Sequence, residues 1–344
     1  MRKPLIRSML FVFVFVLLCH SCIRETTFSD TPEGNFEALW RIIDRQYCFF
    51  DYKATQYGLD WDDVYLRYRQ RLTPTMSSRA LFQVLSEMLL ELRDGHTNLI
   101  STAQTSYYTK WYDDYPANYS DTLQRIYLGT DYVTTSSMQY TVFRDNIAYI
   151  RYASFSSGIS EGGLDAILTD ISLCDGLILD IRDNGGGLLT NSEKIAARFT
   201  NEKVIAGYIS HKTGYGHNDF SSPTTIYTTP ATSRVRWQKP VVVLTNRSTF
   251  SSANDFVCRM KQLPNVTIIG DRTGGGSGLP TSSELPNGWS VRFSACPMFD
   301  PDMQQIEFGI DPDIKADIQS ADFDRGIDTI IETARQYLHQ KIAR

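Results

Sequence analysis

The chain has no basic excess. Its 34 Lys and Arg stand against 39 Asp and Glu, a net charge of -5, and gather into no stripe. Nucleic-acid binding, which depends on neutralising phosphates, is therefore excluded. No segment recurs at the period of about 20 to 50 residues that marks solenoids and propellers. Cysteine is scarce, six in 344 residues, at spacings that fit no zinc site, and no metal is implied. Nor is there an apolar run of the ~20 residues that a bilayer span needs. What is present is ordinary globular material, 42% apolar, and the length suggests about two domains.

The first 21 residues read as an export leader rather than as part of the fold. "MRKPLIR" is a basic start, and "MLFVFVFVLL" (Met9 to Leu18) is an apolar run of ten residues, too short to span a membrane. "LCHSC" then places Cys22 after Ser21, which resembles a bacterial lipobox, although Cys19 and His20 depart from its pattern. Two readings stand: lipidation at Cys22, with a lipid-membrane anchor in the cell envelope, or plain secretion. Residues 22–34 are polar and would form a tether. Of the remaining cysteines, Cys48, Cys174, Cys258 and Cys296 lie in apolar contexts that suit buried thiols, while an oxidising compartment also permits a disulfide.

Residues 35–100 read as a helical domain. "NFEALWRIIDRQY" places Phe36, Leu39, Trp40, Ile43 and Tyr47 on one face, with Asn35 as N-cap. "SSRALFQVLSEMLLEL" places Leu81, Leu85, Met88 and Leu92 on a stripe capped by Ser77 or Ser78, with Gly95 as the C-terminal breaker. Residues 101–145 show weak periodicity and read as connecting strands and loops. From 146 to 344, apolar runs of strand length ("IAYIRYASF", "GLILDIRD", "PVVVLTN", "VTIIGD") alternate with helical segments. That alternation predicts a layered α/β domain with a mainly parallel sheet. "ELPNGWSVRF" predicts a hairpin at Asn287-Gly288, and an amphipathic helix is expected from Asp322.

Ligands of an open α/β sheet bind where its strands end, so the loops there carry the chemistry. "LILDIRDNGGG" offers Gly185, Gly186 and Gly187 after a strand. The run suits a turn, a phosphate cradle or an oxyanion hole, but it lacks the Gly-Lys-Ser ending of a P-loop. In "VVVLTNRSTFSSANDF" Ser251 and Ser252 stand between a strand and a helix. They could cap that helix, as serine commonly does. Alternatively, Ser251 could be a nucleophile, with the Ser252 N–H holding the oxyanion. A nucleophile needs a base. Among five histidines, His96 follows a packed helix and is the best placed.

In this order and spacing, "ELRDGHT", "LILDIRDNGGG", "LTNRSTFSSANDF", "IIGDRTGGG" and "EFGIDPDI" resemble the serine peptidases of family S41. That group includes the carboxy-terminal processing proteases and the tricorn core protease. The resemblance spans roughly residues 35–344 and implies a crotonase-like/ClpP-like α/β/α core. It implies Ser251 as nucleophile, with Ser252 and Gly185 or Gly186 supplying oxyanion N–H groups. Where the processing branch has a lysine base, this chain has Gly276, so it looks tricorn-like, with His96 as base and Glu307 as the acid. One departure is Gly95, where the tricorn protease has a serine that links acid to base. Glu307 would then reach His96 directly, through the Thr97 hydroxyl, or not at all. Another departure is the short interval before Asn146, into which no PDZ domain fits. The resemblance implies a polypeptide substrate and no cofactor; it leaves the oligomeric state open. Two rival functions remain: an inactive ligand- or peptide-binding protein on the same scaffold, and an acyl-CoA enzyme, which export disfavours. A neutral imidazole base would give activity a pKa near the usual ~6.5 of histidine.

Overall fold

In a computed structural model describing residues 27–343, the chain begins with four helices, α1 (Pro32–Gln46), α2 (Phe50–Tyr57), α3 (Trp61–Arg69) and α4 (Ser78–Leu90). The expected leader, Cys22 and the first part of the tether lie outside the described residues. Helix α1 starts earlier than Asn35, because the Thr31 side chain accepts from Gly34 N (3.1 Å) and Pro32 fills the first turn. Asn35 is instead buried inside the helix, donating to Asp30 and to the Thr31 carbonyl. Ser77 caps α4, as expected. That helix ends well before Gly95, and the left-handed residue after it is Arg93 (φ 46°).

The four helices bury one apolar cluster, including Phe36, Leu39, Trp61, Leu85 and Met88. Leu285, Val291 and Phe293 complete it from far along the chain, in the C-terminal half. The helical unit therefore shares its core with the C-terminal half.

Strand β1 (Asn98–Ile100) follows directly on His96. Helix α5 (Asp121–Leu128) occupies part of the stretch expected to hold only strands and loops. It is short, capped by Ser120, and buries only Leu123, Gln124 and Leu128, which is too few for its period to stand out. The chain then runs β2 (Val133–Thr135), β3 (Met138–Val142), β4 (Ile147–Tyr152), α6 (Glu161–Asp170), β5 (Gly176–Asp180) and α7 (Leu189–Ala196). It continues with β6 (Val204–Ile209), β7 (Thr224–Thr228), β8 (Val241–Thr245), α8 (Ser252–Met260) and β9 (Val266–Gly270). Next come the hairpin β10 (Pro280–Glu284) and β11 (Ser290–Ser294), then β12 (Met298–Phe299) and β13 (Ile314–Lys315). The short α9 (Ser320–Phe323) and α10 (Thr329–Ile342) are the last elements of the described residues.

Seven strands form the main sheet in the order β13-β9-β8-β5-β4-β3-β2. Strands β4, β5, β8, β9 and β13 pair in parallel, and β2 and β3 join antiparallel. The continuous apolar runs seen in the sequence have a direct cause. On β8, Val241 and Val243 pack under α6, α7 and α8, while Val242 and Leu244 face α10. Both faces of the sheet are covered, so neither side of the strand reads as polar. The layered α/β/α expectation is borne out.

Helix α10 starts at Thr329 rather than Asp322, because Asp328 accepts from Ile330 N and Ile331 N (3.0 and 3.1 Å). The same carboxylate pairs at 2.9 Å with Arg182, a wholly buried guanidinium that also pairs with Asp180 at 2.6 Å. This fixes the chain just past β5, where the glycine loop begins. Cys48, Cys174 and Cys258 are buried free thiols; Cys296 is half-buried, 3.3 Å from His211 Nδ1.

Candidate active site

Strands β5 and β8 are neighbours in the sheet, and the loops leaving their ends meet. The β8 loop turns sharply into α8 at Ser251, whose backbone adopts φ 59° and ψ -122°. A residue with a Cβ pays about 1–3 kcal/mol for such a conformation. The turn is held by Ser251 N on the Gly275 carbonyl (2.8 Å) and by Phe250 N on the Asn184 carbonyl (3.0 Å). Thr249 ties it to β5 by donating to the Ile181 carbonyl (3.1 Å). The helix-capping reading of Ser251 is not what the geometry shows. Its hydroxyl caps no N–H of α8 and lies 2.9 Å from His96 Nε2.

His96 reaches this point from the helical unit. Its turn is organised by Asp94, which accepts from His96 N (2.7 Å), Tyr47 (3.0 Å) and Ser294 (2.9 Å). Burial alone would raise Asp94, but the nearby Lys53 ammonium, His96 and these hydrogen bonds hold it below the usual carboxylate range. His96 Nδ1 faces the Ser277 carbonyl at 3.3 Å. A carbonyl only accepts, so Nδ1 carries the proton and the Nε2 lone pair points at Ser251. Burial pushes the His96 pKa down to about 4, so the imidazole is neutral at physiological pH.

Glu307 joins this chain by neither expected route. It makes no direct bond to His96, and the Thr97 hydroxyl has no hydrogen-bond partner among the described residues. Instead Ser277 links the two, its carbonyl on His96 and its hydroxyl donating to Glu307 Oε2 (3.4 Å). The reason lies in the packing around Gly95. A Cβ there would stand 2.9 Å from the Phe250 ring and 3.2 Å from Trp111, leaving no room for a linking serine at that place. Gly276 is equally constrained: with φ 74° and a Cβ 2.3 Å from Phe250, a lysine base does not fit. Phe250 thus selects the histidine arrangement on both sides.

Burial, reinforced by the charge of Asp94, pushes Glu307 up to about 8 against the pull of Lys53. Lys53 is the residue that sequence reasoning missed. It is wholly buried, donating to Glu307 Oε1 (3.3 Å) and to the Arg93 carbonyl (3.0 Å). The signal was there in "FDYKATQY", where Lys53 stands three residues after Phe50 and four before Tyr57, on the apolar face of a helix.

The glycine loop needs a correction. Gly186 N donates to the Asn184 side chain (3.0 Å), so it is not free to meet an oxyanion, and Gly185 does not line the cleft. Gly187 does line it, beside Ser251 and Ser252, and the N–H groups of Gly187 and Ser252 meet no acceptor among the described residues. Gly186 serves by closeness, since a Cβ there would stand 2.7 Å from the Ser251 Cβ. The Ser252 hydroxyl donates to the Gly187 carbonyl (2.6 Å), which locks the loop to the helix. The cleft has a volume of about 90 Å³, and Leu189, Leu279, Met298 and Ile306 form its apolar wall. Among the described residues no His, Cys, Asp and Glu cluster could hold a metal.

A serine hydroxyl bonded to a neutral imidazole, two unengaged N–H donors and an apolar cleft together suit acyl transfer. Comparison with known proteins agrees. The pattern of peptidase family S41 matches residues 146–316, and that of the tricorn protease C1 domain matches residues 28–90. A candidate peptidase from Parabacteroides merdae ATCC 43184 is 52% identical, with a TM-score of 0.85 over 90% of this chain and 97% of that one. The carboxy-terminal processing protease CtpA of Bacillus subtilis is 28% identical over 52% of this chain and 37% of its own length. The chain covers about as little of the next curated relatives, 36% and 37%. The tricorn protease shares the fold, with a TM-score of 0.58 at 17% identity over 92% of this chain and 37% of that one.

Above about pH 8, where Glu307 is anionic, removing Lys53 strands a buried carboxylate. At pH 9 Lys53→Met should therefore lower unfolding stability by about 3–5 kcal/mol, and Lys53→Met with Glu307→Gln should recover part of it. Urea denaturation of the two variants checks this; equal losses would mean that the pair is not coupled.

Proposed function

The chain belongs to peptidase family S41, and on that premise we propose that it is a serine peptidase whose nucleophile is Ser251. The observation that carries the reading is the 2.9 Å bond between Ser251 and His96 Nε2, made by a serine held in a left-handed turn and capping nothing. His96 takes the hydroxyl proton as Ser251 attacks the scissile carbonyl, and returns it to the leaving amine. The N–H groups of Gly187 and Ser252, with the amino end of α8 behind them, receive the developing oxyanion. Glu307 acts through Ser277, holding the imidazole in one tautomer and favouring the imidazolium when it forms. Water then enters the cleft and His96 activates it to release the acyl group.

Curated relatives bear the name of carboxy-terminal processing proteases. That favours a polypeptide substrate cut near its carboxyl end. The leader and Cys22 support export, with lipid attachment to the cell envelope. In a native host, Cys22→Ser should move the protein from the membrane fraction to the soluble exported fraction; unchanged partitioning would remove the anchor.

Ser251→Ala should cost about 10⁴-fold or more in hydrolysis of a fluorescent casein or peptide substrate, with folding retained. Ser252→Ala loses one loop hydrogen bond, worth about 1 kcal/mol, so it should stay within about tenfold of wild type. If the two effects are exchanged, the nucleophile is Ser252.

The pH profile is revised from the ordinary histidine value. The base works when neutral, so kcat/KM rises with pH through its pKa, and burial sets that near 4. Activity should hold down to about pH 5 and fall below it. Glu307 is neutral below about 8 and anionic above, and the anion better stabilises the imidazolium. A second rise should therefore appear between about pH 7 and 9 and vanish in Glu307→Gln. Because Glu307 works through Ser277, its loss at pH 9 should cost about 10–100-fold, less than the ~10⁴ of an acid bonded directly to histidine. An undiminished Glu307→Gln enzyme would reduce the site to Ser251 and His96.

A further inference from the structure

One charge in the cleft has no partner. Arg292 lies on β11, paired in register with Asn98, two residues after His96, and its side chain lines the same cleft as Ser251 and His96. It is half-buried, and its guanidinium makes no hydrogen bond or ion pair among the described residues. The acid whose field it feels is Asp94, and that carboxylate is already taken up by Tyr47, Ser294 and the His96 N–H. Buried arginines elsewhere are all bonded. Arg182 pairs with Asp180 and Asp328, Arg198 with Glu161 and Asp165, and Arg259 with Asp255, while Arg151 and Arg247 donate to backbone carbonyls. Asp255, the carboxylate that lines the cleft, is neutralised by Arg259 and bonded to Ser192. The cleft of an acidic protein is thus left with one uncompensated positive charge, and the amino end of α8 adds to it.

Position tells which part of a substrate meets that charge. Ser251 is bonded to His96 and shares the cleft with the Gly187 loop, whose N–H faces the oxyanion in the proposed reaction. The imidazole hands its proton to the leaving amine, so the chain beyond the scissile bond starts on the His96 side. Arg292 stands opposite Asn98 on the strand that leaves His96, and its charge acts on the imidazole, which groups it with His96. An extended peptide advances about 3.3–3.6 Å per residue, so a guanidinium there reaches the first or second residue after the cut.

We propose that Arg292 recognises a carboxylate at the first or second residue after the scissile bond, carried either by an acidic side chain or by the chain's own carboxyl terminus. The proposal rests on the peptidase reading and names the substrate class for that site. A planar guanidinium takes a carboxylate in a two-point contact, which fixes the leaving segment as well as attracting it. There is a second consequence. Burial is the main cause of the low His96 pKa, but the Arg292 charge adds to it, so neutralising that charge strengthens the base once substrate is bound.

The test uses quenched fluorescent peptides that differ only in Asp against Asn at each of those two positions, plus a matched pair ending there as free acid or amide. In the wild-type enzyme at least one acid member should exceed its neutral twin in kcat/KM by about tenfold or more, and the ratio should fall with salt. Whichever pair shows it identifies the source of the carboxylate. Arg292→Met should bring that ratio to about 1, with Arg292→Lys between, because a point charge keeps attraction but loses the two-point fit. Ratios near 1 in every wild-type pair, or a ratio undiminished in Arg292→Met, would overturn the proposal. Should no peptide be cut in a Ser251-dependent way, the peptidase reading fails. The same pairs titrated onto Ser251→Ala by fluorescence anisotropy then decide Arg292 from the ratio of Kd values.

Discussion

Buried charges hold the two halves of this chain in register: Asp94 accepts from Ser294, and the Lys53 ammonium reaches Glu307. Lys53 Nζ stands between the carbonyl of Arg93 and the carboxylate of Glu307. The first contact fixes the left-handed turn that presents His96; the second holds the carboxyl group that accepts from the Ser277 hydroxyl. That clamp, with the Asp94–Ser294 bond and the β1–β11 pairing, brings residues 155 positions apart to 2.9 Å. The shared apolar cluster between the helices and the β10–β11 hairpin brings the halves together, but apolar contacts set no such angle. A hydrogen-bonded charge does.

Phe250 is the second constraint, and it explains two departures from the family pattern at once. Its ring occupies the space where a linking serine at position 95 or a lysine at position 276 would stand. The chain restores the connection between acid and base through Ser277, using one residue's backbone and side chain in series. The cost of this detour is a longer path between Glu307 and the imidazole, and with it a weaker hold of the acid over the base. Placing Glu307 in a buried, partly anionic neighbourhood then makes its charge depend on pH in a range where a surface carboxylate would be fully ionised.

Much of the fold was legible because its signals are local. Apolar runs such as "PVVVLTN" and the Asn-Gly hairpin reappear as β8 and the β10–β11 turn, and Ser251 and His96 are brought together. What escaped depends on three-dimensional neighbours. Helix α5 buries too little to show its period. The N-cap at Thr31 was hidden by Asn35, which suits a cap as well but is drawn inside by Asp30. The choice between Gly186 and Gly187 turns on one Asn184 side chain that no spacing reveals. Lys53 was readable from its helical face, yet its partner lies 254 residues away, which no periodicity connects.

The central claim is that the Ser251 hydroxyl is a nucleophile made reactive by a neutral His96. Treating the purified protein with a fluorophosphonate and locating the adduct by peptide mass spectrometry tests it without any knowledge of the natural substrate. The account predicts a single adduct on Ser251, formed rapidly at pH 7 and nearly abolished by His96→Ala. An adduct on Ser252, or labelling of Ser251 that His96→Ala leaves unchanged, would contradict it.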